Sequence, residues 1–155
     1  PLRGLRVLDV GCGGGLLTFP LARLGAEVTG CDASSKAIAV AQRRAEKDPS
    51  LFGRASFRHA LVDDMAKEGS TFDAVVSLEV VEHMESEERR RFVGTCAQLA
   101  SSVAIFSTIN RTVDSQWLAI RAAEDVMGWV PRGTHQHEKF VKPEELRVDL
   151  EQAGL

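Results

Sequence analysis

The sequence predicts a doubly wound α/β fold, a mostly parallel sheet with helices on both faces. Three observations predict it. Arg6-Val7-Leu8-Asp9-Val10 is an apolar strand that runs straight into the glycine turn Gly11-Cys12-Gly13-Gly14-Gly15. Leu16, Leu17, Leu21 and Leu24 then recur at helical spacing, which makes a strand–glycine loop–helix unit, the first half of a βαβ crossover. Strand-like and helix-like stretches go on alternating as far as Thr108, the pattern of a parallel sheet with right-handed crossovers.

In order, a strand over 6–10 leads to a helix over 16–24, distorted at Pro20 and ended by Gly25. A second strand spans 27–32. Ser34 or Ser35 caps the next helix, which runs to about Lys47 with Ile38, Ala41 and Ala45 inward, until Asp48-Pro49-Ser50 breaks it. A short third strand covers 55–60, and a loop holding Leu61, Val62, Asp63 and Asp64 follows. Residues 72–78 are almost continuously apolar, as in a strand buried on both faces. The polar turn 79–84, a helix over 86–99, a turn at Ala100-Ser101-Ser102 and a fifth strand over 103–108 complete the pattern. In such sheets ligands bind beyond the carboxyl ends of the strands, where Gly11, Asp32, Asp63, Glu79 and Asn110 fall.

The 155 residues suffice for one domain with a sizeable core, and 44% hydrophobic with 26% charged residues is an ordinary globular balance. A net charge of −3 gives no support for a polyanionic partner such as nucleic acid. Three cysteines, Cys12, Cys31 and Cys96, read as reduced, small apolar residues. The chain starts at Pro1, almost on its first strand, and is expected to be a piece of a longer protein, truncated at both ends.

The chemistry concentrates first at the glycine loop. Bare main chain there lets a ligand lie close, and the loop opens at a helix N-terminus with outward N–H groups. Asp32 ends the second strand about 20 residues after the first glycine, where an ionised carboxylate suits the two hydroxyls of a ribose. A nucleoside is the ligand this pairing predicts. Leu16 stands where a dinucleotide fingerprint needs its last glycine, and Asp9 beside the loop would repel a pyrophosphate but attract a cation. Residues 9–15, Asp-Val-Gly-Cys-Gly-Gly-Gly, resemble motif I of the class I S-adenosylmethionine-dependent methyltransferases, whose cofactor carries a sulfonium and an ammonium and no phosphate.

The second constellation is Glu79-Val80-Val81-Glu82-His83. If this turn is helical, Glu79, Glu82 and His83 share one face. Two carboxylates and an imidazole suit a divalent cation: Mg²⁺ by oxygen preference, Zn²⁺ or Mn²⁺ by the imidazole. The alternative is a solvated acidic turn.

That stretch, with Phe106-Ser107-Thr108-Ile109-Asn110-Arg111, Val130-Pro131-Arg132-Gly133-Thr134-His135 and Lys139-Phe140, resembles the ubiquinone-biosynthesis O-methyltransferases over nearly the whole chain. The resemblance implies a Rossmann-like class I methyltransferase fold and a metal at Glu79, Glu82 and His83. It implies cofactor contacts at Asp9, Gly11, Gly13, Asp32 and Leu78, with Val62 and Asp63 at the adenine edge. The implied reaction moves the sulfonium methyl to a phenolic oxygen of a polyprenylated, catechol-type ring. A free phenol has a pKa of about 10, so its proton needs an acceptor, His135 or His137. The implied setting is the matrix side of the mitochondrial inner membrane in a eukaryote, or the cytoplasmic membrane surface in a bacterium, with a biosynthetic complex as partner.

Residues 112–130 carry Trp117, Leu118, Ile120, Ala122, Val126, Met127 and Trp129 at helical spacing, with Arg111, Arg121 and Arg132 nearby. Within one domain over 1–155, residues 112–141 read as a substrate-side insertion. It is either a lid packed on the sheet or an interfacial segment that collects a lipid-like substrate from a membrane. A small-molecule methyltransferase with another acceptor is one alternative, and two other functions remain beside it. One is a catalytically silent cofactor-binding module; the other is a nicotinamide-dependent oxidoreductase, which Leu16 and Asp9 oppose.

Overall fold

The computed structural model describes residues 1–108 and 141–155. Five strands, β1 (Arg6–Val10), β2 (Glu27–Asp32), β3 (Ala55–His59), β4 (Phe72–Leu78) and β5 (Ala100–Ser107), form one sheet in the order β3-β2-β1-β4-β5. Every neighbouring pair is parallel, with Val7 in register with Val28 on one side and Ala74 on the other. The crossovers carry α1 (Thr18–Arg23), α2 (Ser35–Glu46), α3 (Val62–Lys67) and α4 (Ser86–Leu99), and α5 (Pro143–Gln152) comes last. Strand order turns back between β1 and β4, so a crevice opens above the carboxyl ends of those two strands.

Alternation along each strand splits the core in two. Val7, Val28 and Val76 pack with Phe19 and Ala22 of α1. Leu8, Val10 and Val75 pack on the other face with Met65 of α3 and Phe92, Val93 and Leu99 of α4. The α5 helix is fixed to α4 by a buried ion pair. Arg89 Nε donates to Asp149 Oδ2 at 2.7 Å, with the two side chains 8% and 2% exposed. Val141, just before α5, is also buried.

Strands β1, β2 and β4 have the bounds read from the sequence, and Ser34 is the residue that caps α2, accepting from the Ala37 N–H at 3.2 Å. Four local features differ. Helix α1 begins at Thr18 rather than Leu16, which is 77% exposed, and this start puts Pro20 in the first turn, where N–H groups lack intrahelical partners anyway. The stretch after β3, expected as a loop, is the helix α3, whose Asp64 side chain accepts the Leu61 N–H at 3.2 Å. No turn separates α4 from the last strand: β5 begins at Ala100, directly after Leu99. The fourth is the turn after β4. Residues 112–140 of the expected insertion, with His135, His137, Trp117 and Trp129, lie outside the described residues, as does Asn110.

Candidate functional site

A cavity of about 420 Å³ opens at the carboxyl ends of β1, β2 and β4. Its wall includes Val10, Gly11, Asp32, Val62, Asp63 and Glu79, so the residues after four separate strands converge there. Gly11 has φ +74, and a Cβ on it would stand 2.4 Å from Cγ2 of Val80. Only glycine fits between the end of β1 and the Val80 side chain. The N–H groups of Gly11 and Cys12 both donate to the Cys31 carbonyl, at 2.8 and 3.1 Å, and tie the loop to β2.

Asp32 is held from both sides. Its Oδ2 accepts the Gly13 N–H at 2.8 Å and its Oδ1 the Ser34 N–H at 2.7 Å. A carboxylate offers about four lone-pair sites, so about two remain for a ligand diol at the cavity wall. Gly13 is not itself in the wall but orients the residue that is. Val62 and Asp63 form the first turn of α3, and Asp63 Oδ1 accepts the Thr95 hydroxyl of α4 at 3.0 Å.

Two of the expected cofactor residues are not part of that wall. Asp9 is buried and accepts the Thr18 hydroxyl at 2.6 Å, so it anchors the start of α1 and does not stand in the cavity wall. Burial raises its pKa, against the lowering effect of the Thr18 bonds. Leu78 ends β4, partly exposed and outside the wall.

The acidic turn does not have the geometry expected of it. Glu79 has φ +56, the only positive φ at a non-glycine residue among those described, and the short 3₁₀ turn that follows covers only Val81–His83. A left-handed residue outside the turn breaks the helical spacing, so Glu79, Glu82 and His83 do not share a helical face. Glu79 is fixed to β5 instead: its N–H donates to the Ser107 carbonyl at 3.1 Å and its Oε1 accepts the Ser107 hydroxyl at 2.6 Å. Glu82 is buried and accepts the Thr108 hydroxyl at 3.1 Å. Burial pushes its carboxyl pKa up, and the neighbouring Glu79 charge pushes the same way. Among the described residues no three His, Cys, Asp or Glu side chains group around a point where an ion could sit. In this arrangement the two carboxylates bond the residues at and just after the end of β5, Glu79 to Ser107 and Glu82 to Thr108, while Glu79 and His83 both line the cavity.

The wall also contains Val80, Leu61, Met84, Arg91 and Phe92, which the sequence reading did not single out. Phe92 was legible as the apolar side of α4, whereas the seat of Val80 over the glycine loop has no sequence signal. The Asp63–Thr95 bond joins residues 32 positions apart and has no local signal.

A parallel sheet with its crevice at the switch point, a glycine turn after β1 and an acid after β2 define a nucleoside-binding, doubly wound α/β protein. The model of the methyltransferase domain matches residues 7–102, and the chain belongs to that family. It is 47% identical to the ubiquinone biosynthesis O-methyltransferase of Rhizobium leguminosarum bv. trifolii (strain WSM2304) and 46% identical to that of Sinorhizobium fredii (strain NBRC 101917 / NGR234). Both alignments cover all of this chain, but it spans only 60% and 61% of the length of those relatives. Among solved structures it resembles magnesium protoporphyrin IX methyltransferase (ChlM) from Synechocystis PCC 6803 with bound SAH. That likeness has a TM-score of 0.76 and 30% identity over 98% of this chain and 64% of the other. The [4+2]-cyclase SpnF, 22% identical with a TM-score of 0.70 over 98% of this chain and 52% of its own, shares the fold alone. The fold by itself therefore does not name the reaction.

Proposed function

We propose that the chain binds S-adenosylmethionine and forms the transfer site of an O-methyltransferase acting on a phenolic or catechol hydroxyl of a polyprenylated ring in ubiquinone biosynthesis. The observation that carries the binding part is Asp32, pinned by two backbone N–H groups with acceptor sites left over in a cavity whose floor admits no Cβ at Gly11. Similarity along the whole of this chain, and 60–61% of their length, to proteins named ubiquinone biosynthesis O-methyltransferase supports the acceptor.

The bound cofactor supplies an electrophilic methyl on a sulfonium whose sulfur leaves neutral, so the protein has little departing charge to stabilise. The work left to the chain is alignment and proton removal. Asp32 accepts the ribose hydroxyls. Leu61, Val62 and Ala60 give an apolar wall for the base, and Val80 over Gly11 closes the near side. The acceptor proton goes to His135 or His137. A polyprenylated acceptor resides in a bilayer, and residues 112–130 bring the site to that surface, with Arg121 inside the segment and Arg111 and Arg132 beside it each adding roughly 1 kcal/mol near anionic lipid.

Calorimetric titration with S-adenosylhomocysteine and, separately, NAD tests the first part. Binding of NAD and not of S-adenosylhomocysteine would overturn it. Turnover with a catechol acceptor, in a chain extended to the length of its relatives, tests the second. Cofactor binding with no methyl transfer to any catechol would leave a silent binding module instead. Changing Trp117 and Trp129 to Glu tests the membrane part. Weakened vesicle co-sedimentation at an unchanged melting temperature is the expected result, and a lowered melting temperature with vesicle binding intact would mean a packed lid.

A further inference from the structure

The glycine loop is gripped from outside the cavity as well as from inside. Arg44, in the last turn of α2, sends its guanidinium away from its own helix end. Its Nη1 donates to the Gly14 carbonyl at 2.9 Å, across 30 residues of sequence. The same guanidinium lies over the Phe19 ring of α1, with Cζ 4.9 Å from the ring centre. Phe19 in turn meets Phe57 of β3 edge to face, centroids 5.5 Å apart at 71°. These two rings fill the space beside Gly15, where a Cβ would stand 2.8 Å from Phe19 Cζ and 3.1 Å from Phe57 Cζ.

The consequence falls on one peptide unit. The Gly14–Gly15 peptide has glycine on both flanks, and Gly15 sits at φ +84, so no side chain restrains its rotation. Its two polar ends are nonetheless both taken: the Gly15 N–H donates to the Cys12 carbonyl at 2.9 Å, and the Gly14 carbonyl accepts from Arg44. One residue further back, the Gly13 N–H donates to Asp32. The loop is thus fixed by Asp32 on the cavity side and by Arg44 on the far side, with Gly14 between the two anchors.

We propose that Arg44 is a positioning residue for the cofactor site: it never touches the ligand, but holds the Gly14–Gly15 peptide so that the Gly13 N–H stays aligned on Asp32. This rests on the S-adenosylmethionine reading above. Arg44 is exposed, so its charged hydrogen bond is partly screened and the expected effect is moderate.

Arg44→Met keeps an apolar stem over Phe19 and removes the donor. Arg44→Lys keeps a cationic donor. Three measurements are made on parent and both variants: calorimetric affinity for S-adenosylhomocysteine, amide hydrogen exchange at Gly15, and melting temperature without ligand. Arg44→Met is expected to bind about five- to tenfold more weakly and to exchange Gly15 faster. It should melt within about 2 °C of the parent, because the fold does not depend on the loop's outer anchor. Arg44→Lys is expected to stay within about twofold of the parent in affinity. Unchanged Gly15 exchange in Arg44→Met would overturn the inference whether or not the parent binds the ligand. So would an affinity loss that only accompanies a lowered melting temperature. A parent that does not bind S-adenosylhomocysteine, with Gly15 exchange still faster in Arg44→Met, would overturn the cofactor reading and leave the anchor in place.

Discussion

Replacing Asp149 with Asn removes the charge that Arg89 faces inside the α4–α5 interface. Arg89 is 7% exposed and Asp149 2% exposed, so neither has water to fall back on. Arg90 Nε, 3.5 Å from Asp149 Oδ1, belongs to a half-exposed side chain and contributes little. Breaking a buried pair by removing one partner costs about 3–5 kcal/mol, because an uncompensated charge stays behind. Asn still offers one carbonyl acceptor to the Arg89 Nε–H, which puts this case near the lower end, about 3 kcal/mol. For a domain of this size each kcal/mol shifts the melting temperature by roughly 2–4 °C, so a fall of about 6–12 °C is expected. Thermal denaturation followed by circular dichroism measures it. The double variant Arg89→Met with Asp149→Leu supplies the control. Replacing both partners by apolar residues is expected to be neutral or stabilising, since the desolvation cost of two charges disappears with them. A fall of under 2 °C in Asp149→Asn would refute the reasoning. A double variant as damaged as the single one would show that side-chain shape, not charge, holds α5.

Asp32→Ala is expected to lower S-adenosylhomocysteine affinity roughly ten- to a hundredfold, the loss of about 1.5–3 kcal/mol from a charge-assisted hydrogen bond, read by calorimetry. Gly11→Ala places a Cβ 2.4 Å from Val80 Cγ2 at φ +74; affinity should fall more than about tenfold, and adding Val80→Ala should recover part of it, the left-handed backbone still costing about 1–2 kcal/mol. For pH, the Ser50 hydroxyl and Arg23 hold the Asp48 carboxyl down to about 2. A depressed carboxylate contributes stability above its unfolded value of 3.8 and loses it as pH falls toward 2. Asp48→Asn should therefore lower the melting temperature slightly at neutral pH, where the parent has that stability, and converge with the parent as pH falls from 4 to 2, flattening the acid limb.

What the sequence made legible follows from which contacts are local. Residues 72–78 read as a strand because a parallel strand buried on both faces must be apolar nearly throughout. Ser34 announced α2 because its cap reaches only three residues. The glycine turn and Asp32 announced the site because both lie at strand ends fixed by one crossover. Helix α3 was missed because six residues are too few to show a helical period; the available signal was Asp64, an acid three residues after Leu61. The shape of the acidic turn was not legible because spacing arguments assume a continuous helix, and one left-handed residue at Glu79 cancels that assumption. That the Asp9 carboxylate is bonded to Thr18 was not legible, because the two lie nine residues apart across the glycine loop. Nothing local could have paired Arg89 with Asp149 across 60 residues or Arg44 with Gly14 across 30.

The place of β1 between β2 and β4 also shapes the order in which the molecule assembles. Val7 pairs with Val28 through a short βαβ unit, so that half of the sheet can close early and locally. The β1–β4 seam must wait for a distant segment: the Arg6 N–H reaches the Asp73 carboxylate at 2.7 Å over 67 residues. Long-range parallel pairing is slow, because loop-closure entropy is lost before any contact returns it. The crevice lies above that same seam, so a junction with a high loop-closure cost is also the floor of the cavity. A ligand held there draws the equilibrium toward the closed sheet by mass action and acts as a clasp on the two halves of the chain.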